Sequence, residues 1–189
     1  MNAYQFDTLI NGAGNPPYFL VFININTRKG FVYPMQTKNS VSVYEALKKF
    51  INDTKNDNPP KIMTSDEDGA YKEDKVQQLM IDNGIEHLTT QKYNHSRLGI
   101  INRFIQTLRQ KLKKHLDLHI YEDNIPPFTV QSMDEVLKKY NNTIHGSTDV
   151  KPKDFSEANN EGYVKKMMEK ESNVRNTKDF NLSVGQNSV

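Results

Sequence analysis

Apolar and polar positions alternate from Tyr4 to Ile10, a two-residue period that predicts a strand with Asp7 inside it. Asn11 to Pro17 reads as a turn, and Tyr18 to Ile25 is almost continuously apolar, as in a central strand buried on both faces. Asn26 to Gly30 turns the chain into a third strand, Phe31 to Met35, and the glycine-containing loop predicts a hairpin. Val43, Ala46, Leu47, Phe50 and Ile51 form the stripe of a helix, with Ser42 and Glu45 spaced as its capping box. Asn52 to Pro60 is a polar loop.

A short apolar run, Lys61 to Thr64, then leads into Ser65-Asp66. A helix is predicted from about Lys75 to Asp82, stopped by Asn83-Gly84, and Ile85 to Leu88 reads as a fifth short strand. Gln91 to Arg97 is polar and predicted mobile. Ile101, Phe104, Ile105, Leu108, Leu112 and Leu116 then recur at three- and four-residue steps, predicting a long helix over Leu98 to Leu116. Past Ile125-Pro126-Pro127 another helix is predicted, Met133 to Tyr140, with Ser132 and Glu135 as its capping box. Asn141 to Lys153 is a loop, Glu157 to Glu169 a weaker helix, and the chain after Ser172 a loose polar tail. A hairpin-linked trio of strands followed by alternating helices and strands predicts an α/β fold, a mixed sheet with helices on both faces.

Charge changes the picture through its placement. The 189 residues carry a net charge of +2, too little to mark a nucleic-acid binder by its sum. Yet no acid lies between Glu86 and Asp117, while that span holds seven Lys or Arg: Lys92, Arg97, Arg103, Arg109, Lys111, Lys113 and Lys114. Basic runs are usually solvated helix faces, but a long span without acids favours a polyanion partner. Asn102, Gln106, Arg109 and Lys113 form one polar stripe beside the apolar one. The chain has no cysteine, which excludes disulfides and cysteine zinc sites and agrees with an intracellular protein. No segment approaches the roughly 18 to 20 apolar residues of a membrane span, the N-terminus lacks a signal-peptide pattern, and no membrane association is expected. The five histidines have no metal-ligand spacing.

Five segments in order carry a resemblance: Tyr4-Gln5-Phe6-Asp7; Phe19 to Arg28 with Phe31-Val32-Tyr33-Pro34-Met35; Thr64-Ser65-Asp66-Glu67; Gly99 to Leu108; and Tyr140 to Thr148 followed by Lys151-Pro152. Thirty-five residues separate Asp66 from Asn102. Together they resemble the catalytic core of retroviral-type integrases, and within that family the integrases of Maverick/Polinton transposons and LTR retrotransposons. The resemblance covers roughly residues 4–155. It implies an RNase H-like fold, a five-stranded mixed sheet whose first three strands are antiparallel, flanked by helices. It also implies Mg²⁺- or Mn²⁺-dependent cutting and joining of DNA, with two ions held by three carboxylates. By resemblance Asp7 and Asp66 are the first two acids and metal ligands, and Asn102 stands at the family's glutamate. Arg97, Gln106, Arg109 and Lys113 become expected DNA contacts. A homodimer, transposon-end and target DNA as partners, and a nuclear location are further expectations of the same kind.

The departure at Asn102 is the informative one. Asparagine is neutral and one methylene shorter than glutamate, and the helix offers no acid to replace it. A deliberate knock-out would more often use glutamine or alanine, which favours natural decay over engineering. Asp68 stands where the family usually has glycine, and Ile105 where it usually has asparagine. Three readings follow: a core that binds DNA but is catalytically impaired, with weakened or single-ion metal binding; an active enzyme whose metal site is rebuilt with Asp68; or a non-catalytic scaffold for dimerisation or partner binding. The expected organisation is a core over 1–155, a C-terminal helix over 156–172 and a flexible tail over 173–189. Leu182 to Val189 resembles the opening strand of the small β-barrel that follows such cores, so the chain is expected to be a fragment of a longer integrase.

Overall fold

The computed structural model of the chain describes residues 2–90, 98–115, 127–155 and Gly162. The expected mobile stretch Gln91 to Arg97, the C-terminal helix apart from Gly162, and the tail lie outside the described residues.

Strand β1 spans Ala3–Ile10, β2 Tyr18–Asn24 and β3 Gly30–Met35. These three form an antiparallel meander, with Asp7 opposite Val21 and Leu20 opposite Tyr33. Helix α1 (Ser40–Thr54) returns the chain across the sheet to β4 (Ile62–Ser65), which lies parallel to β1. Helices α2 (Gly69–Lys72) and α3 (Asp74–Asp82) lead to β5 (Glu86–Thr89), parallel to β4. The sheet order is β3-β2-β1-β4-β5, so β1 is central. Helices α4 (Gly99–His115) and α5 (Val130–Asn141) follow, then a 3-10 turn at Pro152–Asp154.

Strand alternation divides the interior into two cores. On one face Tyr4, Phe6, Leu20 and Phe22 pack against α1, α2 and α3. Phe50 of α1 stacks on Phe22 with ring centroids 4.0 Å apart. On the other face Leu9, Phe19, Val21 and Ile23 pack against Ile101, Phe104, Leu108 and Leu112 of α4 and against α5. The apolar run of β2 is thus buried on both sides, as its sequence predicts. Gln5 and Asp7 share the α4 face with Leu9, because residues two apart point the same way.

Two helix starts differ from the sequence reading, and capping explains both. Helix α1 begins at Ser40, not behind Ser42, because the Asn39 side chain accepts from the Ser42 N–H at 3.0 Å. Helix α5 begins at Val130, with Thr129 as cap and Ser132 in the N3 role; the two close a reciprocal capping box without Glu135. Both true caps lie three residues upstream of the expected ones, and Asn, Thr and Ser all compete well for that place. The four-residue α2, capped by Asp68, was not expected from sequence.

Candidate active site

Gln5 and Thr64 are register partners across the parallel β1–β4 pair. Asp7 and Asp66, each two residues further along, lie near enough for the Asp66 charge to add to the burial that raises the Asp7 pKa. Helix α4 is fastened along β1 at two points. The Ile101 N–H donates to the buried Gln5 Oε1 at 3.0 Å, and Arg109 Nη2 donates to the Ile10 carbonyl at 3.0 Å. Helix and strand therefore run alongside each other. Asn102 is the residue after the first tether. Asp7 and Asp66 are half-buried, and Asn102 is exposed on the first turn of α4.

Electrostatics mark this as an unbalanced site. Burial pushes the Asp7 carboxyl up from 3.8 to about 6, and the charges of Asp66 and Asp68 add to the push. The Thr8 N–H, donating to Asp7 Oδ1 at 2.7 Å, and the Lys38 ammonium pull the other way without cancelling it. Lys38, in the loop before α1, is the counter-charge the sequence reading missed. Its Nζ pairs with Asp68 Oδ2 at 2.6 Å, and it also feels Asp66 and Asp7, so its pKa is raised. Only the folded proximity of loop and strand ends reveals it.

Asp68 is fully engaged. Oδ1 accepts from the Ala70 N–H at 2.9 Å, capping α2, while Oδ2 holds Lys38. Burial opposes its ionisation, but the Lys38 ammonium and the Ala70 N–H outweigh burial and hold its carboxyl below the usual range. A carboxylate with both oxygens committed is poorly placed to ligate an ion. Among the described residues no group of three or more His, Cys, Asp or Glu converges as a metal cluster.

A second set of partners fixes Asp66 from behind. Gln77 Nε2 donates to the Tyr71 carbonyl at 2.6 Å and faces His87 Nδ1 at 2.9 Å. With Nδ1 accepting, the proton sits on Nε2, which donates to Ser65 Oγ at 2.9 Å; Ser65 in turn donates to the Asp66 carbonyl at 2.8 Å. Burial, with Lys72 adding, lowers the His87 pKa and keeps this ring neutral. No sequence signal pointed to His87, because its partners come from α2, α3 and β4.

The expected DNA-contact residues are spread along α4. Gln106 and Arg109 are exposed and Lys113 is half-buried in the last turn. Arg97 lies outside the described residues. Ile105, unlike the polar residue the resemblance leads one to expect, packs partly buried against the α4-side core.

Residues 3–95 match the model of a family described as the integrase core domain. That match includes Asp7 and Asp66 and ends before α4, so Asn102 lies outside it. A chain of the cryo-EM structure of the simian T-cell lymphotropic virus intasome in complex with PP2A regulatory subunit B56 gamma superposes with a TM-score of 0.62 at 18% identity, over 74% of this chain and 48% of that one. The present chain thus spans about half the length of that relative. The HTLV-2 integrase catalytic core domain in complex with magnesium, in a trimeric form, superposes with a TM-score of 0.59 at 15% identity, over 80% of this chain and 93% of that one. No curated protein matches the chain. The mixed five-stranded sheet with flanking helices is the RNase H-like fold of integrase catalytic cores.

Proposed function

We propose that this chain is an integrase-type, DNA-binding core for DNA integration whose cutting and joining chemistry is impaired at one position, Asn102. The observation that supports the reading is the proximity of Asp7 and Asp66, whose charge adds to the burial that raises the Asp7 pKa, together with the tether from Ile101, the neighbour of Asn102, to Gln5 on the Asp7 strand. The match of residues 3–95 to the integrase core family supports the class of reaction. The closer kinship with Maverick/Polinton and LTR-retrotransposon integrases rests on the sequence segments and belongs to the proposal.

The donor set fits a divalent cation in part. Asp7 and Asp66 supply hard anionic oxygens, and burial, with the Asp66 charge adding to it, raises the Asp7 pKa. A magnesium ion held there would supply Lewis-acid polarisation of a phosphate oxygen and activation of a water or hydroxyl. Asp7 and Asp66 would hold the ion. Asn102 offers one neutral oxygen where a second ion requires charge, so binding is expected to be weakened or limited to one ion. The His87–Ser65 link holds the Asp66 peptide in place, and the Gln5 tether fixes the first turn of α4, on which Asn102 lies, against β1. Gln106, Arg109 and Lys113 would take phosphates of the DNA backbone. Asp68 stays a cap and ion-pair partner, which counts against a metal site rebuilt around it.

The test is strand transfer on a labelled duplex by the native chain and by Asn102→Glu, in Mg²⁺ and in Mn²⁺. The proposal expects little product from the native chain and a gain of at least about tenfold in the variant, the scale of about 1.4 kcal/mol of transition-state stabilisation. Robust activity of the native chain would overturn the impairment. Salt-sensitive DNA binding without product in either form would leave a non-catalytic binding core.

A further inference from the structure

Helix α4 has a second polar flank, which neither the stripe analysis nor the carboxylate pair uses. Asn102, Gln106, Arg109 and Lys113 lie on one side of the buried stripe. Arg103 and Thr107 fall about a third of a turn round the helix, on the side away from that stripe. There the helix, the end of β2 with the β2–β3 turn, and the loop after α5 enclose a cleft of about 320 Å³. Its polar lining comes from three separate elements: Arg28 from the turn, Arg103 and Thr107 from α4, His145 and Ser147 from the loop. Ile23, Phe104 and Tyr140 are among its apolar lining, and among the described residues no acid lines it.

The cleft is held in shape. Tyr140 packs edge-on against the His145 ring with centroids 4.5 Å apart, and against Phe104 at 4.6 Å. The His145 N–H donates to the Val150 carbonyl at 3.1 Å, closing the loop, while the Asn141 side chain pairs with both the N–H and the carbonyl of Gly30. Arg28 sits at φ +61° with its guanidinium anchored on the Ile25 carbonyl, which fixes where its charge lies. The field is positive: burial lowers the His145 pKa, and the cations Lys111 and Arg28 lower it further against the Tyr140 backbone. Burial, with Lys139 and Lys114 adding, likewise lowers Lys111. Such an arrangement, cations on a braced wall with hydroxyls between them, suits a phosphate group.

We infer that the cleft between Arg103, His145 and the β2–β3 turn is a second phosphate-binding site, on the flank of α4 opposite Asn102, and that it takes a phosphodiester of a nucleic-acid backbone. It extends the DNA-binding reading given above, but uses residues outside the carboxylate site. Helix α4 would then lie between two backbone contacts rather than along one.

The test measures binding of a fluorescent 20-base-pair duplex, by anisotropy across a salt series, for the full chain. Variants are Arg103→Glu, Thr107→Glu, and Gln106→Ala/Lys113→Ala on the opposite flank. Circular dichroism checks that each is folded. Amide shifts on adding inorganic phosphate are followed in parallel. We expect Arg103→Glu and Thr107→Glu each to weaken the duplex about tenfold near 50 mM salt and to reduce the salt slope by about one, the size of one lost phosphate contact. The opposite-flank variant should weaken it separately. Loss only in the opposite-flank variant would overturn the second site and leave DNA binding standing. Phosphate shifts at Arg103 and Ser147 without duplex binding would overturn the nucleic-acid source, and the DNA reading with it, leaving a free-phosphate site. Neither duplex binding nor phosphate shifts would overturn the site altogether.

Discussion

Asp7→Asn in metal-free protein tests the electrostatic reading of the site through stability. The folded chain raises the Asp7 pKa from 3.8 to about 6. A folded pKa above the unfolded one means the acid stabilises the fold fully only below the unfolded value, and that this contribution is lost as pH rises through about 6. At pH 7.5 the ionised side chain therefore opposes folding. The difference of 2.2 between 6 and 3.8 corresponds to about 3 kcal/mol. Partial exposure lets solvent screen some of this, leaving about 1–2 kcal/mol. Asparagine removes the charge and keeps an oxygen for the Thr8 N–H. In EDTA the variant should melt about 3–6 °C above the native chain, followed by circular dichroism. Millimolar Mg²⁺ should raise the native melting point and leave the variant unchanged. An unchanged or lower melting point for the variant in EDTA would refute the claim that uncompensated carboxylate charge strains this site.

Three further outcomes follow from the same geometry. Lys38→Met removes an ammonium from the field of Asp7 and Asp66, so calorimetric Mg²⁺ affinity should tighten about threefold, with at most about 0.5 kcal/mol lost from the partly exposed ion pair with Asp68; weaker Mg²⁺ binding would contradict it. Gly30→Ala puts a methyl into the Phe104 ring and should cost about 1–3 kcal/mol in urea unfolding, whereas Gly84→Asn, at φ +65° in open space, should cost well under 1. The half-buried His87 has a lowered pKa, so its contribution is present above about 6.5 and is lost as pH falls; in the Asp7→Asn background, the drop in urea midpoint between pH 7.5 and 5.5 should shrink when His87→Gln is added.

The sheet was readable because its pattern is local. The apolar run from Tyr18 and the alternation from Tyr4 fix which faces are buried, and the β2–β3 turn fixes the hairpin. That Asp7 and Asp66 come near each other was readable from motif and order. The helix starts were not, since Ser42 and Ser132 look as competent as Asn39 and Thr129 until the backbone selects one. Lys38, His87 and the Arg103–His145 cleft were invisible for a different reason. Each is made by residues tens of positions apart, and only tertiary packing decides which charges meet. Asp68 shows the reverse: a spare carboxylate in sequence is, once folded, a helix cap bound to a lysine.

Anomalous diffraction from crystals soaked in Mn²⁺ tests the central claim most directly, by counting ions between Asp7 and Asp66 in the native chain and in Asn102→Glu. The account predicts at most one ion in the native chain and two in the variant. Two ions in the native chain, or none in either, would contradict it.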